Sequence, residues 1–202
     1  MLPASTARSL QLALCALYLV NGLVLSTELS MAASSKGSSL REDLPYRTGV
    51  MAVFVKNDTQ PSNVLVFRRM GSSSTWQFPQ GGIQNNESPE QALRREIFEE
   101  LGTTNFRILR QADSTVSYEF PSKANWKICQ KYRGQQHHWF LCVFEEGQGP
   151  RLEAAADQDF DAFEFVKPHG AIRRAETWKQ AAYEEGLKRL DILLESRTKL
   201  AM

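Results

Sequence analysis

Residues 76–103 read WQFPQGGIQNNESPEQALRREIFEELGT. The second half of this stretch specifies a helix by local chemistry. Ser88 is a good N-cap, Pro89 suits the first helical position, and Gln91 completes a capping box. Gly102 is a typical helix stop. A helix is therefore expected from Pro89 to Leu101. At about 100° per residue, Leu93, Ile97 and Leu101 share a core-facing side, and Glu96, Glu99 and Glu100 share another. Like charges at these spacings cost a few tenths of a kcal/mol per pair and raise one another's pKa. Solvent screening relieves that crowding, and so does a cation. Three carboxylates are hard oxygen donors, which suit Mg²⁺ or Mn²⁺ rather than zinc. An acidic helix face alone usually means a solvated face. Here Gly81 and Gly82 precede the helix, where backbone must approach closely or turn tightly. Arg95 adjoins the trio and can orient it through charge-assisted bonds.

Outward from this stretch, composition sets limits. The chain has 202 residues, 42% apolar and 23% charged, which fits one globular domain with an appendage. That excludes collagen-like, disordered and heptad-only chains. With 24 basic and 23 acidic residues the net charge is +1. No global basic field exists, so a nucleic-acid partner must be held at a local site, and recognition of a DNA sequence is not expected. Cys15, Cys129 and Cys142 form no C-x-x-C pair and no zinc-finger spacing. Cys129 and Cys142 are expected as small core residues. No P-loop, H-E-x-x-H or G-x-S-x-G pattern offers a rival chemistry.

The first 42 residues differ from the rest. Residues 9–27 carry no charge, and Leu10–Leu25 is mostly apolar. That run is shorter than the roughly 20 residues needed to span a bilayer, and Gln11 and Asn21 interrupt it. Three readings stay open: a secretory signal core, an organelle-import segment, or an upstream extension before a start at Met31. None implies stable membrane insertion of the mature domain. A Ser-rich linker follows. The folded domain is expected over 43–196, with a tail over 197–202. Strands are expected at Gly49–Val55, Asn63–Phe67, Phe106–Leu109, Thr115–Phe120, His138–Phe144 and Phe163–Val166. A helix is expected over Ile172–Leu194, with Gly186 interrupting it. Strands mixed with two helices indicate a layered α/β domain.

Gly81, Glu87 and Arg95-Glu96-Ile97-Phe98-Glu99-Glu100-Leu101-Gly102 resemble the Nudix signature, G-x5-E-x7-R-E-U-x-E-E-x-G-U, where U is bulky and apolar. Seven fixed identities agree, and chance agreement at a given position is on the order of 10⁻⁸. Thr103 departs mildly from the last apolar position. Trp76–Ile83 resembles one subgroup, the bacterial RNA pyrophosphohydrolases and plant-type diadenosine tetraphosphate hydrolases. Tyr46-Arg47, Tyr118–Pro121, Gly134-Gln135 and Trp139-Phe140 fit the same subgroup.

The resemblance implies a Nudix α/β/α sandwich with a mixed sheet, a catalytic loop-helix and a C-terminal helix. It implies an Mg²⁺-dependent (Mn²⁺ possible) hydrolase of nucleoside polyphosphate linkages. The substrates implied are dinucleoside tetraphosphates, RNA 5′-triphosphate ends, or both; a catalytically inactive module binding nucleotides or RNA 5′ ends is the alternative. Glu96, Glu99 and Glu100 match the metal ligands, joined by the backbone carbonyl of Gln80. Glu87 and Arg95, with Gly81, Gly82 and Gly102, match the supporting positions. A late E-F-x-x-W-x-W segment, which carries a ligand or base, reads Asp159-Phe160-Asp161-Ala162-Phe163-Glu164-Phe165 here. Asp159 is one methylene shorter, and both tryptophans are phenylalanine. Arg47, Arg69 and Lys179 match phosphate contacts, Trp178 matches a base-stacking position, and Tyr118 belongs to the same substrate-binding set. The subgroup's Gln-Lys is His137-His138 here, exchanging a permanent cation for a switchable one. Asn57 and Asn86 begin glycosylation sequons. A glycan on Asn86 falls inside the motif's loop, which favours an intracellular protein over a secreted one.

Overall fold

Val50 to Val55 is apolar throughout and buried throughout, as expected for a strand covered on both faces. The structure is a computed structural model describing residues 41–57, 62–124 and 126–193. The apolar stretch Leu10–Leu25, the linker, the tail and Leu194 lie outside the described residues. By its internal contacts the chain divides into Met1–Leu44 and Pro45–Met202; the elements below belong to the second unit.

Eight strands form one sheet: β1 (Tyr46–Val55), β2 (Val64–Arg69), β3 (Trp76–Gln77), β4 (Gln80–Gly82), β5 (Phe106–Gln111), β6 (Val116–Glu119), β7 (Gly134–Phe144) and β8 (Phe160–Val166). β1 and β7 run parallel, from Tyr46↔Gly134 to Val55↔Val143. The other pairings are antiparallel, so the sheet is mixed. The helices are α1 (Pro89–Leu101), α2 (Pro168–Arg174) and α3 (Gln180–Arg189).

Strand alternation sorts the core into two halves. Val50, Ala52 and Phe54 pack with Leu65, Phe67, Phe140 and Cys142 beneath Leu93, Ile97 and Leu101 of α1. Met51, Val53 and Val55 face the other way, onto Trp139, Leu141 and the α3 side chains Tyr183 and Leu187. Helices therefore lie on both faces, the α/β/α sandwich that the sequence resemblance implies.

α1 has the expected bounds. Ser88 accepts from the Gln91 amide, Gln91 returns the bond, and Gly102 sits at φ 65°. Thr103, the polar departure in the motif, is buried and accepts from the Asn105 amide at 3.2 Å. Two expectations need correction. β3 and β4 are strands of two and three residues within the motif loop; their pairing with β2 and β1 leaves no local signal. The helix expected over Ile172–Leu194 is two helices. Ala175 and Glu176 are extended, and a 3₁₀ turn spans Thr177–Lys179. The break turns Lys179 inward, where it is only 5% exposed. Gly186 does not weaken α3. A Cβ there would lie 2.4 Å from the Trp139 indole, so the glycine lets helix and sheet meet. Cys142 is a core residue as expected, whereas Cys129 is only partly buried.

Candidate active site

The site begins with Arg95, nearly two turns into α1. A guanidinium has five N–H donors in a fixed fork, and all five are used. Nε and Nη2 donate to the two oxygens of Glu87, at 2.7 and 2.9 Å. Nη1 donates to Glu96 Oε1 at 2.8 Å and Glu99 Oε2 at 2.9 Å. Nη2 also donates to the Gly82 carbonyl at 2.9 Å. One side chain thus ties the loop glycine, the loop glutamate and two helix carboxylates together. Glu87 Oε2 also accepts from the Gln84 amide at 3.0 Å. Its bonds with Arg95, the largest cause, hold its carboxyl below the ordinary range.

The glycines act by absence of a side chain. A Cβ on Gly81 would lie 1.7 Å from the Glu96 carboxyl carbon, and one on Gly82 would lie 2.1 Å from Arg47 Nη2. The Glu96 carboxylate and the Arg47 guanidinium therefore rest directly on the loop backbone. Glu100 is 4% exposed, and its Oε2 accepts from the Gln80 amide at 3.0 Å. Burial pushes the Glu100 carboxyl well above the ordinary range, with further upward pressure from Glu96, Asp159 and Asp157. Glu96 is raised as well, chiefly by burial, with Arg95 opposing.

A neutral polar floor adjoins the carboxylates. Gln80 Nε2 donates to Gln135 Oε1 at 3.2 Å and to the Tyr118 hydroxyl at 3.3 Å, and that hydroxyl donates to Gln135. Lys179 Nζ lies 4.9 Å from the centre of the Trp178 ring and 5.9 Å from that of Tyr118. It pairs with Glu176 at 3.5 Å. Burial lowers its pKa, while Glu176 and Glu100 raise it. Trp178 is partly buried and meets Tyr118, Phe120 and Trp126 at 5.2, 6.2 and 5.9 Å between ring centres. Arg69 is exposed at the end of β2 and close enough for its charge to depress Lys179. Asp159 is half-buried, and its carbonyl accepts from the Met70 amide at 2.7 Å.

The expected residues thus gather in one region: Gln80, Gly81, Gly82, Glu87, Arg95, Glu96, Glu99 and Glu100 as a bonded cage, with Arg47, Tyr118, Trp178, Lys179, Arg69 and Asp159 around it. Of the two histidines, His137 rather than His138 belongs to this region, because strand alternation places it on the face of Gln135. His137 is 1% exposed. Burial lowers its pKa to about 3, with Lys179, Arg47 and His138 adding to the effect. It is therefore a neutral imidazole and not a switchable cation near neutral pH. His138 is half-buried, and its Nδ1 lies 3.5 Å from Gln111 Nε2. Phe163 and Phe165, in place of the subgroup's tryptophans, are 47% and 37% exposed on β8. Asp157, which the sequence reading did not single out, is exposed and adds a small upward push on Glu100.

Among the described residues no three acidic, histidine or cysteine side chains stand as a ready coordination shell, and Arg95 engages one oxygen each of Glu96 and Glu99. Even so, the donor set fits a hard divalent ion. Arg95 takes one oxygen of each carboxylate and leaves Glu96 Oε2 and Glu99 Oε1 without a partner among the described residues. Burial chiefly raises Glu96 and Glu100, and the neighbouring carboxylates add to it, so holding all of them ionised is costly without a cation. A bound cation removes that cost.

This loop-helix cage on one face of a mixed, helix-covered sheet defines the class. The family model described as NUDIX domain matches residues 45–186, and the chain belongs to the Nudix family of hydrolases. It is 35% identical over 156 residues to an RNA pyrophosphohydrolase of Gluconobacter oxydans, covering 76% of this chain and 90% of that one. It is 29% identical over 157 residues to Nudix hydrolase 25 of Arabidopsis thaliana, covering 73% and 88%. In fold it is similar to an Ap4A hydrolase of C. elegans, with a TM-score of 0.52 at 16% identity, covering 73% and 99%. The E. coli dihydroneopterin triphosphate pyrophosphohydrolase gives 0.51 at 19% identity, covering 70% and 96%.

Proposed function

We propose that this Nudix hydrolase removes pyrophosphate from the 5′-triphosphate end of RNA, using Mg²⁺ held by Glu96, Glu99, Glu100 and the Gln80 carbonyl. The observation that carries the reading is the fully used Arg95 fork, which orients two carboxylates beside buried Glu100 and under a cationic rim. The ion supplies Lewis acidity, a lowered water pKa and charge neutralisation on the phosphates. The chain's own residues do the rest. Arg47 and Lys179 bind the phosphate oxygens, with Arg69 at the entrance. Trp178, held edge-on by Tyr118, gives the terminal base a stacking face, worth about 1–3 kcal/mol without sequence readout. Asp159 takes the proton of the attacking water. Water adds to phosphorus, the anhydride bond breaks, and pyrophosphate leaves a 5′-monophosphate. Prepositioned charge supplies most of the rate. The curated RNA pyrophosphohydrolase relatives support this substrate class. An intact cage argues against a module that only binds.

The subgroup resemblance also implies dinucleoside tetraphosphates. The test offers the full chain 5′-triphosphorylated RNA and diadenosine tetraphosphate together, with Mg²⁺ and then Mn²⁺, and identifies products by mass. Faster formation of pyrophosphate and 5′-monophosphate RNA is expected. Preferential release of adenosine mono- and triphosphate would replace RNA with the dinucleotide, and no cleavage of either would leave the binding module. The domain spans 43–196 in this reading. Such substrates, with the sequon at Asn86 inside the motif loop, support an intracellular location. Among the described residues no helix is long and apolar enough to cross a membrane.

A further inference from the structure

A groove lies beside Trp178, between the Ser72–Thr75 loop and the end of α2. It encloses about 590 Å³, and Ser74, Thr75, Arg173, Arg174, Thr177 and Trp178 are part of its lining. The loop is held from within. The Ser72 hydroxyl accepts from the Thr75 amide at 2.9 Å and from the Ser74 amide at 3.3 Å. The Thr75 carbonyl accepts from the Arg69 amide at 3.0 Å. The side-chain hydroxyls of Ser74, Thr75 and Thr177 make no hydrogen bond among the described residues. Charge in the groove is unbalanced. Arg174 is engaged by Glu164 at 2.6 Å and by the face of Trp76, 5.2 Å from the ring centre. Glu176, the acid in the wall, pairs with Lys179 at 3.5 Å. Arg173 is exposed and engages no carboxylate among the described residues. Neither does Arg69, which stands where the loop leaves β2. Guanidinium and hydroxyl donors beside an aromatic ring match a phosphodiester chain with its bases.

We propose that this groove carries the RNA chain beyond the terminal nucleotide, with Arg173 and the Ser74, Thr75 and Thr177 hydroxyls holding its backbone phosphates. The proposal rests on the RNA-end reading above and narrows it. A 5′-triphosphate that continues into a chain gains these contacts, whereas a dinucleoside polyphosphate has no phosphodiester chain to place there. Trp178 joins the two regions, since it lines the groove and also stands beside Tyr118 and Lys179. A protein with a net charge of +1 holds RNA through such local cations. A phosphate contact from an exposed arginine is electrostatic and independent of sequence. It therefore acts on affinity and on salt dependence and leaves the chemical step untouched.

The test measures kcat and KM of the full chain with Mg²⁺ on 5′-triphosphorylated RNAs, from a dinucleotide to about ten nucleotides. Wild type, R173A, R173E and R173K are compared at low and high salt. The wild-type KM is expected to fall as the RNA lengthens, at constant kcat. R173E is expected to raise KM about tenfold on the long RNA and to leave the dinucleotide within about twofold. R173A is expected to lower the slope of log KM against log salt by about 0.7, the share of one phosphate contact on a single strand. R173K keeps the charge and stays near wild type. Three results overturn the proposal while the RNA-end reading stands: a wild-type KM that does not change with length, a length dependence that R173E leaves intact, or an equal loss on the dinucleotide and the long RNA. No cleavage at any length overturns the RNA-end reading, and the groove's role with it.

Discussion

Arg95 sets the geometry of the site through bonds that only a planar fork makes at once. A lysine has three donors at a single point and spans at most part of the cage. Arg95→Lys is expected to lower kcat about 10–100-fold, by releasing Glu87, Glu96 and Glu99 from their common anchor. Single-turnover rates with saturating RNA check this. Glu100 governs the pH response. Burial raises its folded pKa above the unfolded value, taken as 4.5. The stabilisation from holding its proton is therefore present below the unfolded value and is lost as pH rises through the folded one. Without metal, Glu100→Gln is expected to melt above wild type at about pH 8, and the gap is expected to close toward about pH 5. Melts across that range test the sign. Much at this scale was legible. Glu87, Arg95 and the helix glutamates stand at fixed spacings in one short stretch, so the motif names them. Asp157 and the burial of His137 were not legible. The first depends on how a distant loop folds back onto α1, and the second on which face of β7 meets Gln135.

α1 was legible to the residue, because its capping box, N-terminal proline and C-terminal glycine are all local. β3 and β4 were not, since strands of two and three residues exist only through partners far along the chain. The break between α2 and α3 was also hidden. No proline or glycine marks Ala175 and Glu176, and tertiary contacts that draw Lys179 inward accompany the turn. Gly186 makes the same point in reverse, since a helix-weakening residue is what the contact requires. Gly186→Ala gains helix propensity but sets a methyl into the Trp139 ring. Overpacking of this kind costs about 1–3 kcal/mol and outweighs the propensity gain of about 1 kcal/mol or less. Urea unfolding is expected to show a lower midpoint with an unchanged slope.

At the scale of the whole molecule, the sheet carries substrate-side residues on β1, β6 and β7 and receives the acidic helix across one face, over β1. The break before α3 delivers Trp178 and Lys179 to the same region. The residues the proposed chemistry uses lie between Arg47 and Lys179, so deleting residues 1–42 is expected to leave turnover within about twofold. Steady-state assays of the shortened chain check that. The central claim is that the carboxylates under Arg95 carry hydrolysis of a nucleoside polyphosphate end. The most direct measurement compares Mg²⁺-dependent turnover of 5′-triphosphorylated RNA by wild type, Glu99→Gln and Glu100→Gln, each verified as folded by circular dichroism. The account predicts a loss of about two orders of magnitude or more in each variant with the fold retained. Unchanged turnover in both variants contradicts it.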